Sequence, residues 1–256
     1  MRHASDILRE YSIDPLRDDD VSRWYGNTSD GDFKLFKQAL RSNDSAAVQQ
    51  FLTDHDQSPE LSCTYNHPHN HQRWWYGANM IENQTSGINE LVVEIGAGSH
   101  ATVAHEILTR DCVKCYIICD LVTPLLLAYY NLSKNHQTYY VRPGDSLETL
   151  IETYRCILLP HHLADKLYTL PGSIYYNSYS LSEMSLDEID HYMDIITTTN
   201  GRLLSENYMT GNGACHLCGE PYRALGELMP RQLEVLASLD TPTPTNTGSQ
   251  LVIAQA

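Results

Sequence analysis

The sequence predicts an α/β protein: a doubly wound, mostly parallel sheet behind an N-terminal helical cap. Three observations carry that prediction. Six short apolar runs, LVVEI, CYIICDL, TYYVR, CILLP, SIYYNS and RLLSEN, follow one another from Leu91 onward. Helix-type stretches starting near Ala101, Thr123, Leu147, His162 and Ser185 separate them, and that alternation is what a parallel sheet with crossover helices requires. The first run also turns through Gly96 and Gly98 directly into the first helix.

Taken in order, residues 1–85 read as the cap. Phe33, Phe36, Leu40, Val48, Phe51 and Leu52 recur at helical spacing, broken near Asn43-Asp44. The segment YNHPHNHQRWWYGAN follows. Helix packing is the default for its Trp74, Trp75 and Tyr76, and a lid that stacks on a sugar ring is the alternative. His67, His69 and His71 alternate on one side of an extended chain, but the expected reading holds no metal. Residues 86–240 carry the strands and helices of the main domain. Within it, Ser185 and Glu188 form a capping box, and Ile189, Tyr192, Met193 and Ile196 give the helix behind it an apolar face. Residues 241–256 read as a loose tail whose LVIA is suited to an edge strand.

Composition narrows the class of function. Acids outnumber bases, 32 to 17, for a formal net charge of −15 over 256 residues. Nucleic acid and anionic membranes need a basic face, so neither is an expected partner. No run approaches the ~20 apolar residues of a membrane span, and the opening residues lack the apolar core of a secretory signal. Seven cysteines in no small-scaffold pattern fit reduced thiols and a cytoplasmic location. Cys112-x-x-Cys115 and Cys215-x-x-Cys218 have zinc spacing, yet they flank different elements, and free thiols are the expected state.

The chemistry concentrates in ELVVEIGAGSHATVAHEIL, residues 90–108. Glycine lets the chain turn sharply and lets a ligand approach without a Cβ in the way. GAGSHA also satisfies the dinucleotide pattern G-x-G-x-x-A, which keeps a nicotinamide enzyme in play. Glu94, two residues before the first glycine, separates the readings. A carboxylate there is costly to bury unless a cation or hydrogen-bond donor meets it, and S-adenosylmethionine carries an ammonium and a sulfonium. Asp120 ends the next strand, twenty-two positions after Gly98. E-x-G-x-G followed by a strand ending in an acid resembles the class I S-adenosylmethionine-dependent methyltransferases. The resemblance implies cofactor contacts from Glu94, Gly96, Ala97, Gly98, Asp120, Leu121, Asp145, Ser146 and Pro160, with Asp120 on the ribose and Asp145-Ser146 near the adenine. Helix capping is the alternative for Asp120 and Ser146.

A second signature lies in ILLPHHLADKLYTLPGSIYYNSYSLSEMSLDEIDHYMDII. Strand ends face the ligand crevice in a doubly wound fold, so His161, His162, Asn177, Ser178, Ser180 and Glu183 are candidates to line it. The LLP-His element, the N-S-Y-S-L-S-E-M block and the R-L-L-S-E-N strand resemble the sugar O-methyltransferase family, over about residues 90–210. That resemblance implies methyl transfer from S-adenosylmethionine to a hydroxyl of a sugar or sugar-bearing metabolite. A hydroxyl is a poor nucleophile, and histidine suits the general base by its pKa: His161 is the first candidate and His162 the second. Asn177, Ser180, Glu183, Trp75 and Tyr76 are expected on the acceptor. The partner is then a small molecule, with a homodimer left open. The alternatives are an O- or N-methyltransferase of another natural product or peptide, an NAD-dependent oxidoreductase, and a methyltransferase-like binding module without chemistry.

Overall fold

The computed structural model describes residues 77–88, 90–98, 101–133, 135–208, 234–241 and 249–255. They form one eight-stranded sheet with helices on both faces. In chain order the elements are β1 (Leu91–Ile95), α1 (Thr102–Arg110), β2 (Cys115–Asp120), α2 (Val122–Leu132), β3 (Thr138–Tyr140), α3 (Leu147–Leu150) and β4 (Cys156–Pro160). A 3-10 helix (His161–Thr169), β5 (Ile174–Ser178), a short 3-10 helix (Ser180–Glu183), α4 (Leu186–Thr198), β6 (Arg202–Tyr208), β7 (Glu234–Thr241) and β8 (Ser249–Gln255) complete it.

All six apolar runs expected as strands are strands. The central ones are almost wholly apolar because both of their faces are covered. Val93, Ile117, Ile157, Tyr175 and Leu203 pack beneath α4 and the 3-10 helix after β4. Val92, Ile118, Leu158, Tyr176 and Leu204 pack on the opposite side with Val103, Ile107 and Leu125 of α1 and α2. Residues 77–84 are helical and close that second layer through Ala78 and Ile81. Arg110 ties this helix to α1, donating to Asn79 Oδ1 at 2.6 Å and pairing with Glu82 at 2.7 Å. The helix expected from Ser185 is α4, with both arms of the capping box made.

The lateral order is β3-β4-β2-β1-β5-β6-β8-β7. Every pairing from β3 to β6 is parallel, and β8 runs antiparallel to both its neighbours. Two expectations change. LVIA is not at an edge: β8 lies between β6 and β7, hydrogen-bonded on both sides, so residues 249–255 belong to the sheet rather than to a loose tail. The helix expected across LETLIETY ends at Leu150, after one turn. Most of the N-terminal cap, with His67, His69, His71, Trp74, Trp75 and Tyr76, lies outside the described residues, as do Cys215 and Cys218. Among the described residues no helix is long and apolar enough to cross a membrane.

Candidate active site

The glycine turn is built from the strand ends around it. Gly96 and Gly98 have φ of 72° and 67°, the left-handed region that glycine enters without strain. Gly96 N–H donates to Cys119 O at 2.8 Å, which ties the turn to β2. A Cβ on Gly96 would overlap Ser180, whereas one on Gly98 would meet nothing within 4 Å among the described residues. One glycine is therefore demanded by packing and the other leaves open space beside the turn.

Asp120 closes the loop from the other side. Its Oδ2 accepts from Gly98 N–H at 2.7 Å and its Oδ1 from Leu121 N–H at 2.6 Å. Each oxygen keeps a second lone pair, enough to accept from a pair of adjacent hydroxyls. Burial pushes this carboxyl up to about 6, the backbone donors lower it, and the charge of Glu183 raises it again.

Glu94 is 4% exposed and accepts from Tyr116 Oη at 3.0 Å. Burial pushes its carboxyl up to about 8, against the lowering effect of Tyr116 and with a further rise from Asp120. At neutral pH it holds a proton that a neighbouring cation would expel. The open Gly98 face, the spare acceptors of Asp120 and a carboxyl suited to a cation fit a ligand with vicinal hydroxyls and an ammonium. They do not fit a pyrophosphate, which would meet acids on the turn and a helix that starts only at Thr102.

Asn177 is brought beneath the turn rather than into the crevice. It is 0% exposed, and its Nδ2 donates to Ile95 O at 2.8 Å while its Oδ1 accepts from Asn207 Nδ2 at 3.1 Å. Ser180 Oγ donates to the same Ile95 O at 2.7 Å. Its amide hydrogens and its carbonyl oxygen are all engaged by protein groups, so in place of the expected substrate contact Asn177 is a clamp that fixes the residue before Gly96.

The strand order relocates the histidines. β4 lies beside β2, with Pro160 opposite Asp120, so His161 and His162 emerge next to Asp120 and away from β5. His161 Nδ1 lies 2.8 Å from Tyr192 Oη, which in turn lies 3.3 Å from Cys119 Sγ. Burial drives the Tyr192 phenol well above its ordinary range, so it keeps its proton. Donated to Nδ1, that proton leaves the imidazole hydrogen on Nε2, which faces Glu188 Oε1 at 3.5 Å. Both nitrogens of His161 are thus directed at protein groups, and its pKa is lowered by burial, with Glu188 raising it and His191 lowering it. His162 is exposed.

Asp145 and Ser146 sit one strand further out, past β3. Asp145 Oδ2 accepts from Arg142 N–H at 2.8 Å, and Ser146 Oγ caps α3, accepting from Thr149 N–H at 3.3 Å. Cys115 is buried inside β2, its thiol pushed up to about 12 by burial. The sequence patterns do not single out Tyr116 or Glu206, and they place Tyr192 on an apolar helix face rather than against a histidine. Glu206 lies two residues beyond the apolar pair Leu203-Leu204 of β6, and an acid inside a buried strand was the available signal.

The sheet order, its single reversed strand and the glycine turn define the class I methyltransferase fold. No family model matches the chain and no curated protein matches it. Among solved structures, an S-adenosylmethionine-dependent methyltransferase of Leishmania major superposes with a TM-score of 0.52 at 10% identity, over 77% of each chain. The mitomycin 7-O-methyltransferase MmcR has a TM-score of 0.44 at 16% identity, over 77% of this chain and 60% of that one. The pyocyanin biosynthetic protein PhzM gives 0.47 at 14% identity, over 91% of this chain and 70% of that one.

Proposed function

We propose that the chain is an S-adenosylmethionine-dependent O-methyltransferase that methylates a hydroxyl of a small metabolite, a sugar or sugar-bearing compound. The observation that carries this reading is the joint between β1 and β2. Gly98 at positive φ, open on its Cβ side, is hydrogen-bonded to Asp120, with the protonated Glu94 buried near Asp120. Bound there, the cofactor supplies a methyl group on a cationic sulfur, a leaving group already activated.

The residues around it have separable tasks. Gly96, Ala97 and Gly98 bring backbone close to the methionine portion. Glu94 meets its ammonium, and Asp120 with Leu121 holds the ribose hydroxyls. Pro160 and His161, beside Asp120, flank the adenosine in place of Asp145 and Ser146. The role of general base then passes away from His161 and His162, which stand on the adenosine side. The resemblance of the N-S-Y-S-L-S-E-M block to sugar O-methyltransferases supports a sugar hydroxyl, with Ser180 and Glu183 proposed on the acceptor side and Trp75 and Tyr76 as proposed lid contacts.

Calorimetric titration with S-adenosylmethionine, S-adenosylhomocysteine and NAD, on wild type and Asp120→Ala, tests the reading. Expected is S-adenosylhomocysteine binding weakened at least ~10-fold by Asp120→Ala, the loss of hydrogen bonds to a charged group worth about 1.5–3 kcal/mol. Binding of NAD alone would sink the proposal and restore the dinucleotide turn.

A further inference from the structure

One row of polar side chains crosses the carboxyl ends of four strands on one face of the sheet. Val92, Ile118, Tyr176 and Leu204 all pack in the layer under α1 and α2. Strand residues two apart share a face, so Glu94, Asp120, Ser178 and Glu206 stand on that same side. The cofactor reading uses the first two. The other two face each other across β5 and β6, paired in register.

Ser178 Oγ donates to Glu206 Oε2 at 3.1 Å, and Tyr179 Oη lies 3.5 Å from Oε1. Tyr179 sits at φ 68°, a conformation bulky residues rarely adopt. It is held there by its own N–H on Glu206 O at 2.8 Å and by Ser182 N–H on its carbonyl at 3.1 Å. Glu206 is 3% exposed, a carboxylate in the carboxyl-terminal half of β6 that packing alone does not call for.

We propose that Glu206 is the catalytic residue on the acceptor side, oriented by Ser178 and Tyr179, and that it takes an uncharged, sugar-type hydroxyl. The proposal rests on the methyltransferase reading above. With the ribose at Asp120 and the methionine end over β1, the next positions along the row are β5 and β6, at roughly 4.8 Å per strand. The histidines lie on the opposite side of β1. As the acceptor oxygen bonds to the methyl carbon, the carbon–sulfur bond breaks and its electron pair stays on sulfur, which becomes neutral. The hydroxyl proton moves to the Glu206 carboxylate and is later released to solvent. An anionic acceptor is disfavoured by the acids of the same row.

The test uses the full chain, with tritiated S-adenosylmethionine and free monosaccharides as acceptors. Glu206→Gln is expected to bind S-adenosylhomocysteine within about threefold of wild type while losing ~100-fold or more in kcat. Ser178→Ala is expected to lose about tenfold in kcat while leaving S-adenosylhomocysteine binding unchanged. Glu206→Gln that methylates within tenfold of wild type overturns the proposal. So does a Glu206→Gln protein that loses both homocysteine-product binding and several degrees of Tm, which would make Glu206 a structural residue. Wild type that binds S-adenosylhomocysteine but methylates no monosaccharide overturns the acceptor class. Wild type that does not bind it at all refutes the underlying reading instead.

Discussion

At the scale of single residues, Glu94 bears the largest electrostatic cost described. Its carboxyl titrates near 8 in the folded chain against an ordinary 4.5. The folded protein therefore holds a proton that the unfolded chain releases between about pH 4.5 and 8, and stability falls as pH rises through that window. Asp120, raised from 3.8 to about 6, acts in the same direction over a lower range. Glu94→Gln keeps an acceptor for Tyr116 and removes the titration. Scanning calorimetry should show Tm raised by roughly 5 °C or more at pH 9 and almost unchanged at pH 5. Under the proposed function, the cofactor's ammonium drives Glu94 to ionise. S-adenosylhomocysteine binding at pH 7 should then release about one proton, read from the difference between phosphate and Tris buffers, and Glu94→Gln should release none.

At the scale of elements, the controlling contact is Ile95 O, where side chains from β5 and the short 3-10 helix converge just before Gly96. Gly96→Ala combines strain at positive φ with overlap on Ser180 and should cost about 1–3 kcal/mol in urea denaturation. Adding Ser180→Gly clears the overlap and should restore part of that loss, leaving the backbone strain and the lost Ser180 Oγ bond to Ile95 O. Asn177→Ala leaves Ile95 O with Ser180 Oγ alone and takes one acceptor from the Asn207 amide in the core, and should cost about 1–3 kcal/mol by the same measurement. These elements were legible to different degrees. Strands β1 to β6 were readable because burial on both faces makes their sequences continuously apolar. The clamp was not, because N-S-Y-S reads equally well as a row of exposed substrate contacts. Only the burial of Asn177 distinguishes the two.

At the scale of the whole molecule, β8 closes the sheet. It enters between β6 and β7 and supplies both of their inner ladders. A chain lacking residues 249–256 would leave β6 with an open edge. It should show no cooperative thermal transition and should associate, as size-exclusion chromatography with light scattering would reveal. The sequence by itself determined the alternation of strands and helices, the glycine turn, the capped helix after Ser185 and the two acids on β1 and β2, because each is a local pattern of burial, backbone freedom or capping. Only the tertiary structure decided which strands are neighbours. That order sets β4 against β2, moves His161 and His162 beside Asp120, carries Asp145 outward and lines Ser178 and Glu206 up with Glu94 and Asp120. Hydrogen bonding between strands joins residues far apart in the chain, and no local pattern records which strand lies beside which.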